Sequence, residues 1–347
     1  MKFTNHIIFY FFLFLLLFHS TLLSTGFAFN TGRQYQISGK TMGTFYSIKF
    51  ISKKNESLKG WKSRVKTRLK DVNKKLSIYD PYSEISLFNR EKPGKPVTIS
   101  SDFHSILLTA QHLYELTEGS WDGTVKPLVD LWGFGTKKRT NQIPEIRKIT
   151  LALSKTGFNH ITIKNRKTIY KTAGITLDLG SIAKGYGVDA IAKLFISSNI
   201  HDVLVEIGGE LYASGINKKG KPWSVGISRP DKRFANQNLY KVVRLKNQAI
   251  ATSGNYRNFF ELNHKTFSHI IDPKTGFPVD NQVVSASVIA ESCTFADGLA
   301  TALMIMNGQK AIELVNSLEN TECIIIQKKA EKFVSHMSEN FNTFVVK

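Results

Sequence analysis

The sequence predicts an α+β fold of mixed sheets with flanking helices, and three observations carry that expectation. Strand-like and helix-like stretches interleave along the 347 residues instead of falling into separate blocks. Several strand-like stretches are joined by turns too short for a helical crossover, which argues against a doubly wound parallel sheet. Composition, at 42% hydrophobic and 21% charged, is that of a globular chain long enough to bury a core without disulfide support.

In order, "YQISGKTMGTFYSIKF" alternates as an opening strand, broken at Thr41-Met42-Gly43-Thr44. "GWKSRVKTRLKDVNKKLSIYD" places Val65, Leu69, Val72 and Leu76 at helical spacing and stops before Asp80-Pro81. "SEISLFNR" is a short helical piece with Ser83 as its cap, and "DFHSILLTAQHLYELTEG" is a second full helix closed by Gly119. The stretch "GSWDGTVKPLVDLWGFG" (119–135) then reads as neither helix nor strand. A loop with that much aromatic area is either anchored in a core or holding a ligand.

Residues 145–195 give a helix, a hairpin and a strand ending at Asp178, which turns through Gly180 into another helix. "DVLVEIGGELYASG", "KPWSVGIS" and the segment around the Asp272-Pro273 turn supply more strands. "VVSASVIA" is a further strand leading into the helix "CTFADGLATALMIMNG", which stops near Gly308. No strong domain boundary is visible.

The first residues differ from the rest. Lys2 precedes the apolar run "IIFYFFLFLLLF" (7–18), and small and polar residues follow, so residues 1–28 read as a secretory signal cut after Ala28, with 29–347 as the folded domain. The alternative is an uncleaved anchor reaching Leu23, which would leave the protein on the inner membrane. No cysteine stands near the exit to carry a lipid. Either way the folded part works outside the cytoplasm, in the periplasm. Only Cys293 and Cys323 occur, too few for a disulfide framework, and both read as buried free thiols. The net charge of +20 favours anionic ligands or surfaces, but the lysines are scattered without aromatic interleaving, so nucleic-acid binding is not expected.

"GINKKGKP" (215–222) approaches a phosphate loop, but Pro222 stands where a magnesium-binding hydroxyl is required, and it reads as a basic hairpin turn. Three segments carry more chemistry. In "LDLGSIAKGYGVDAIAKL" a strand delivers Asp178 to a glycine turn at a helix start, where backbone N–H groups and Lys184 would meet a phosphate, or where Asp178 merely caps. In "FADGLATAL" Asp297 and Thr301 stand four apart on one helical face, a carboxylate and hydroxyl suited to Mg²⁺, or a surface Asp and a core-facing Thr. In "HIIDPKTG" His269 and Asp272 flank two isoleucines, and a lone His there is usually structural.

Taken together and in order, the chain resembles the ApbE family of flavin transferases over nearly its whole mature length. The resemblance lies in "TMGTFY" (41–46), "LSIYDPYSEISLFN" (76–89), "GSWDGTVKPLVDLWGFG" (119–135), "LDLGSIAKGYGVD" (177–189), "EIGGELYASG" (206–215), "ATSGNY" (251–256), "HIIDPKTGFPV" (269–279) and "FADGLATAL" (295–303). It implies an enzyme that uses Mg²⁺ to transfer the FMN moiety of FAD to a threonine hydroxyl of a secreted or membrane target protein, releasing AMP. On that resemblance Asp297, Thr301 and the backbone carbonyl of Ser181 are the Mg²⁺ ligands, and Met42, Tyr79, Asp122, Asp178, Lys184 and Ile271 contact FAD. His269 matches the position that helps activate the incoming hydroxyl, and Trp132 and Phe134 pack the loop that carries Asp122. The chain departs from the family pattern at Trp121, Lys126 and Ser181. An FAD pyrophosphatase and a non-catalytic flavin-binding protein are the alternatives.

Overall fold

The computed structural model describes residues 32–135, 142–172, 174–231, 239–255, 259–262, 265–330 and 332–346. The secretory signal expected over 1–28 lies outside the described residues, as does Tyr256 of the "ATSGNY" segment.

Strands from both ends of the chain share one sheet. β1 (Arg33–Thr41) and β2 (Thr44–Ser52) form a hairpin through Met42-Gly43, so the expected single broken strand is two. Met42 and Gly43 both take positive φ, 48° and 71°, as a two-residue hairpin turn demands. β6 (Val203–Ile207), β7 (Glu210–Ser214), β10 (Gln248–Gly254), β13 (Val283–Ala290), β14 (Glu322–Lys329) and β15 (Lys332–Met337) complete an eight-stranded antiparallel sheet in the order β1-β2-β6-β7-β10-β13-β14-β15. Along β14 the period of two is plain: Cys323 and Ile325 face the helices, while Ile324 and Ile326 face the opposite layer.

That opposite layer is a hairpin of β8 (Trp223–Ser228) and β9 (Leu239–Leu245), whose Trp223, Val225, Ile227, Val243 and Leu245 cover the sheet. The basic segment 215–222 therefore joins strands of two different sheets and is a connecting turn, not the hairpin turn its sequence predicts.

The helical layer contains α1 (Leu58–Leu76), α2 (Glu84–Arg90) and α3 (Ser101–Leu116), capped by Ser57, Ser83 and Ser100, whose hydroxyls accept from amides in their first turns. α1 buries Trp61, Val65, Leu69, Val72 and Leu76, the stripe its spacing predicts. Within 119–135 a short helix, α4 (Lys126–Leu131), forms where only a loop was expected, because Pro127 pre-sets the first turn. α5 (Ile146–Leu153) and the hairpin β11 (Phe259–Leu262) and β12 (Lys265–Ser268) pack with α4 into a small separate core of Leu128, Trp132, Ile149, Phe260, Phe267 and Ile271. A three-stranded sheet, β3 (Val97–Thr98), β5 (Thr168–Lys171) and β4 (Ile161–Asn165), closes the far side.

One expected strand is absent. Residues 175–179 join no sheet, because the Asn89 side chain takes both backbone groups of Leu177, at 2.7 and 2.9 Å, and Gly123 takes the amide of Asp178 at 2.7 Å. The hydrogen bonds a neighbouring strand would supply come instead from a helix side chain and a loop carbonyl.

The last two major helices, α6 (Gly180–Ile196) and α7 (Cys293–Ile305), lie on the sheet and touch each other closely. α8 (Gly308–Asn316) follows. A Cβ on Gly185 would stand 2.3 Å from the Cys293 carbonyl oxygen, so only glycine permits this helix contact. Asp189 of α6 locks the contact: its carboxylate accepts from the Ser292 and Thr294 hydroxyls and from the Cys293 and Thr294 amides, all at 2.6–2.9 Å. This carboxylate at an N-terminus satisfies orphan donors and complements the positive end of the helix dipole, so it fixes the register of α7 against α6. Cys293 and Cys323 are free and buried. Among the described residues no helix is long and apolar enough to cross a membrane.

Candidate active site

The α6–α7 contact gathers the polar residues. Asp297 is one turn into α7 and 2% exposed, which removes the reading of it as a surface Asp. Its Oδ2 accepts from the Gly185 amide at 3.0 Å, and its Oδ1 stands 3.8 Å from Lys184 Nζ. Helical geometry assigns the Gly185 amide to the carbonyl four residues back, that of Ser181. The Asp297 carboxylate therefore meets α6 one helical turn after Ser181. Thr301, one turn further along α7, meets Ser253 of β10 hydroxyl to hydroxyl at 3.0 Å, and its Oγ1 also donates to the Asp297 carbonyl at 3.2 Å.

Lys184 donates to Glu210 Oε1 at 2.5 Å from the first residue of β7. The other oxygen, Glu210 Oε2, is buried and has no hydrogen-bond partner among the described residues. Burial opposes the charge on Lys184, but Asp297 and Glu210 outweigh it and hold its pKa above the ordinary lysine value. Burial likewise pushes the Asp297 carboxyl above its ordinary range, against the pull of Lys184. Two buried carboxylates thus share one ammonium, and one carboxylate oxygen is left over. Glu210 is a site residue that sequence reasoning missed. Its inward position depends on the tight Gly208-Gly209 turn, both glycines at positive φ, which places a Gly208 Cβ position 3.3 Å from Lys184 Cδ.

The stretch 119–135 links this corner to a second one. Trp121 is 2% exposed and its Nε1 donates to Ser181 Oγ at 3.0 Å, so the departures at 121 and 181 are hydrogen-bonded to each other. Asp122 is buried and accepts from the Thr124 amide and hydroxyl at 2.8 and 2.6 Å; burial pushes its pKa up and those bonds pull it down. Asp178 caps the first turn of α6 through the Gly180 amide at 2.9 Å, with its pKa also raised by burial. At the far end Trp132 donates to the Gly276 carbonyl at 2.8 Å, and Phe134 sets its ring edge-on to His269 at 6.4 Å. Ile271 is buried in the same small core as Trp132. One loop therefore braces both the α6 turn and the segment bearing His269.

The remaining two residues lie at the β1–β2 turn and just after α1. Met42 sits at the β1–β2 turn beside α6, its Cε 3.0 Å from a Cβ position on Gly187. Tyr79 is 76% exposed after the end of α1, and the same region is tied to the Met42 turn by the Asn73 amide donating to Thr41 Oγ1 at 3.1 Å. The structure thus brings Lys184, Ser181, Asp297 and Thr301 together and connects Asp122, Asp178, His269 and Ile271 to them through the loop.

The Trp121–Ser181 bond yields a test. Trp121→Phe and Ser181→Ala each strand one partner, so a double-mutant cycle read by chemical denaturation will give a coupling energy of about 1 kcal/mol. Additive losses would show that the bond does not brace the turn.

The Asp297 carboxylate, with Thr301 one turn beyond it on α7 and the partly exposed Lys184 ammonium 3.8 Å away, forms a polar site suited to an anionic ligand. The sequence profile of the ApbE family matches residues 42–325, and the chain belongs to that family. The chain is 37% identical over 315 residues, 90% of its own length and 93% of the relative's, to the FAD:protein FMN transferase of Vibrio cholerae. It is 38% identical over 312 residues, 88% and 90% of the two chains, to the protein of the same name from Haemophilus influenzae. The solved structure of the flavin transferase ApbE from Vibrio cholerae superposes with a TM-score of 0.82 at 36% identity, covering 90% of this chain and 99% of that one.

Proposed function

We propose that this protein transfers the FMN moiety of FAD to a threonine hydroxyl of a secreted or membrane target protein, forming a phosphoester and releasing AMP. The observation that carries the reading is likeness, over nine-tenths of the chain, to relatives named for that reaction. The signal-like residues 1–28 support a periplasmic site of action.

The donor set fits Mg²⁺. Asp297 Oδ, Thr301 Oγ1 and the Ser181 carbonyl are all hard oxygens, and such a site leaves positions for water and phosphate. Bound there, Mg²⁺ supplies charge neutralisation at the pyrophosphate. Lys184, held in place by Glu210 and Asp297, offers its ammonium to the same phosphate oxygens. Met42, Tyr79, Asp122, Asp178 and Ile271 provide the remaining contacts to FAD. His269 takes the proton of the threonine hydroxyl as its oxygen bonds to the phosphorus on the FMN side. The bond from that phosphorus to the bridging oxygen breaks, and AMP leaves with the electron pair.

The test is incubation of the protein with FAD, Mg²⁺ and a secreted protein that carries an acidic, small-residue segment before a threonine. In-gel flavin fluorescence and the mass increment of FMN are expected on the target. FMN and AMP without labelled target would mark a pyrophosphatase, and intact bound FAD would mark a binding protein. His269→Ala is expected to slow transfer by on the order of 10²–10⁴ while FAD binding is retained. Undiminished transfer by that variant would remove His269 from the reaction.

A further inference from the structure

Outside the site, the strongest unexplained feature is the outer face of α1. Lys59, Lys62, Lys66, Lys70 and Lys74 follow one another at spacings of three and four, all exposed. They form a ladder about 22 Å long at the helical rise. None of them forms an ion pair among the described residues. The arginines of the same helix behave differently. Arg64 lies over the Trp61 ring at 4.1 Å and donates to Ser198, and Arg68 pairs with Asp102 at 2.5 Å. The arginines are used within the fold, and the lysines are left facing out. Asp71 is the only acidic residue in α1, and it is half-buried.

The ladder also lies where the chain enters the fold. The Tyr35 hydroxyl, near the start of β1, donates to the Lys54 carbonyl at 3.2 Å and accepts from the Glu56 amide at 3.1 Å. Glu56 in turn accepts from Trp61 Nε1 at 2.9 Å. Arg33 and the first turn of α1 are thereby fastened together, and exposed Arg33, Lys53 and Lys54 extend the positive face toward the entry point. Upstream, residues 19–31 separate that point from the apolar run 7–18. Even fully extended they span only about 45 Å.

We propose that the α1 lysine ladder is a docking face for an anionic lipid surface, and that it lays the protein against the membrane its N-terminal apolar run addresses. Charge complementarity and the shared position of ladder and chain entry both favour an anionic lipid surface. Lysine ammoniums within a Debye length of such a surface each strengthen binding about fivefold. This holds whether or not the apolar run is cleaved, and it does not depend on the flavin chemistry.

The test is flotation of the full-length protein with phosphatidylcholine vesicles, with and without phosphatidylglycerol, at low and high salt. Partition is expected to rise on the order of a hundredfold or more with the anionic lipid and to lose that gain at high salt. The variant Lys59→Gln, Lys66→Gln, Lys70→Gln, Lys74→Gln should lose the preference with its melting midpoint unchanged. If the apolar run inserts into both vesicle types, the ratio between them still reports the ladder. Equal partition of the wild-type protein, or a preference kept by the four-glutamine variant, would overturn the proposal. So would binding to polyglutamate without binding to the anionic vesicles, which would assign the ladder to an acidic protein.

Discussion

Asp297→Asn will abolish the response to Mg²⁺ and leave the fold as stable as before or more so. The amide keeps the shape of the carboxylate and an oxygen for the Gly185 amide, which now donates to Oδ2 at 3.0 Å. It loses the one negative charge among the proposed cation ligands, and a hard divalent ion depends on that charge. Stability moves the other way because burial already disfavours the ionised form. A carboxyl whose folded pKa is raised costs stability above its unfolded value. The advantage of the variant over wild type should therefore be small near pH 4 and widen as pH rises, in metal-free protein. Thermal unfolding with and without Mg²⁺, across pH, reads both effects independently of transfer activity. A variant that was still stabilised by Mg²⁺, or that still transferred FMN at the wild-type rate, would remove Asp297 from the metal site.

Glu210→Ala is expected to have the second-largest effect, through Lys184. Removing Glu210 takes away the oxygen 2.5 Å from Nζ and leaves the ammonium with Asp297 alone at 3.8 Å. Breaking a fully buried pair costs about 3–5 kcal/mol, and because the Lys184 side chain keeps 32% of its exposure a loss of about 2 kcal/mol is expected. Freed of its anchor, Lys184 samples other rotamers, so transfer should fall more steeply than stability. Glu210→Gln, which keeps an acceptor but not the charge, should recover most of the stability and only part of the rate. The comparison of denaturation midpoints with single-turnover transfer separates these outcomes. Equal losses in both quantities for both variants would show a purely structural role.

Much of this site was legible in the sequence because its residues obey short-range spacing. Asp297 and Thr301 share a face by helical period, and Asp178 and Lys184 flank a helix start marked by glycine. Glu210 was not legible. In "ELYAS" a lone glutamate at a strand start looks like an outward polar residue, and only the pairing of β7 with β6 and β10 turns it inward. Asp189 was hidden for the same reason, since the helix end it caps begins at residue 293. The elements show the same division. The Ser83 cap and the apolar stripe of α1 were read correctly, whereas residues 175–179 failed as a strand because Asn89, far away in sequence, took the backbone groups of Leu177. α4 was missed because its six residues are too few to show a period.

The order of the central sheet has a bearing on how the protein comes into being. β1 and β2 from the start of the chain and β13 to β15 from its end are held in one sheet, and α7, with Asp297 and Thr301, is clamped to α6 through Asp189 and the residues at 292–294 and through the Gly185 amide and Asp297. Such distant pairings make folding slow and cooperative. A chain still being synthesised or exported has Lys184 long before it has Asp297. On the proposed roles of Lys184 and Asp297, a chain cut short before α7 would hold the lysine without the carboxylate and would stay inert toward FAD instead of consuming it.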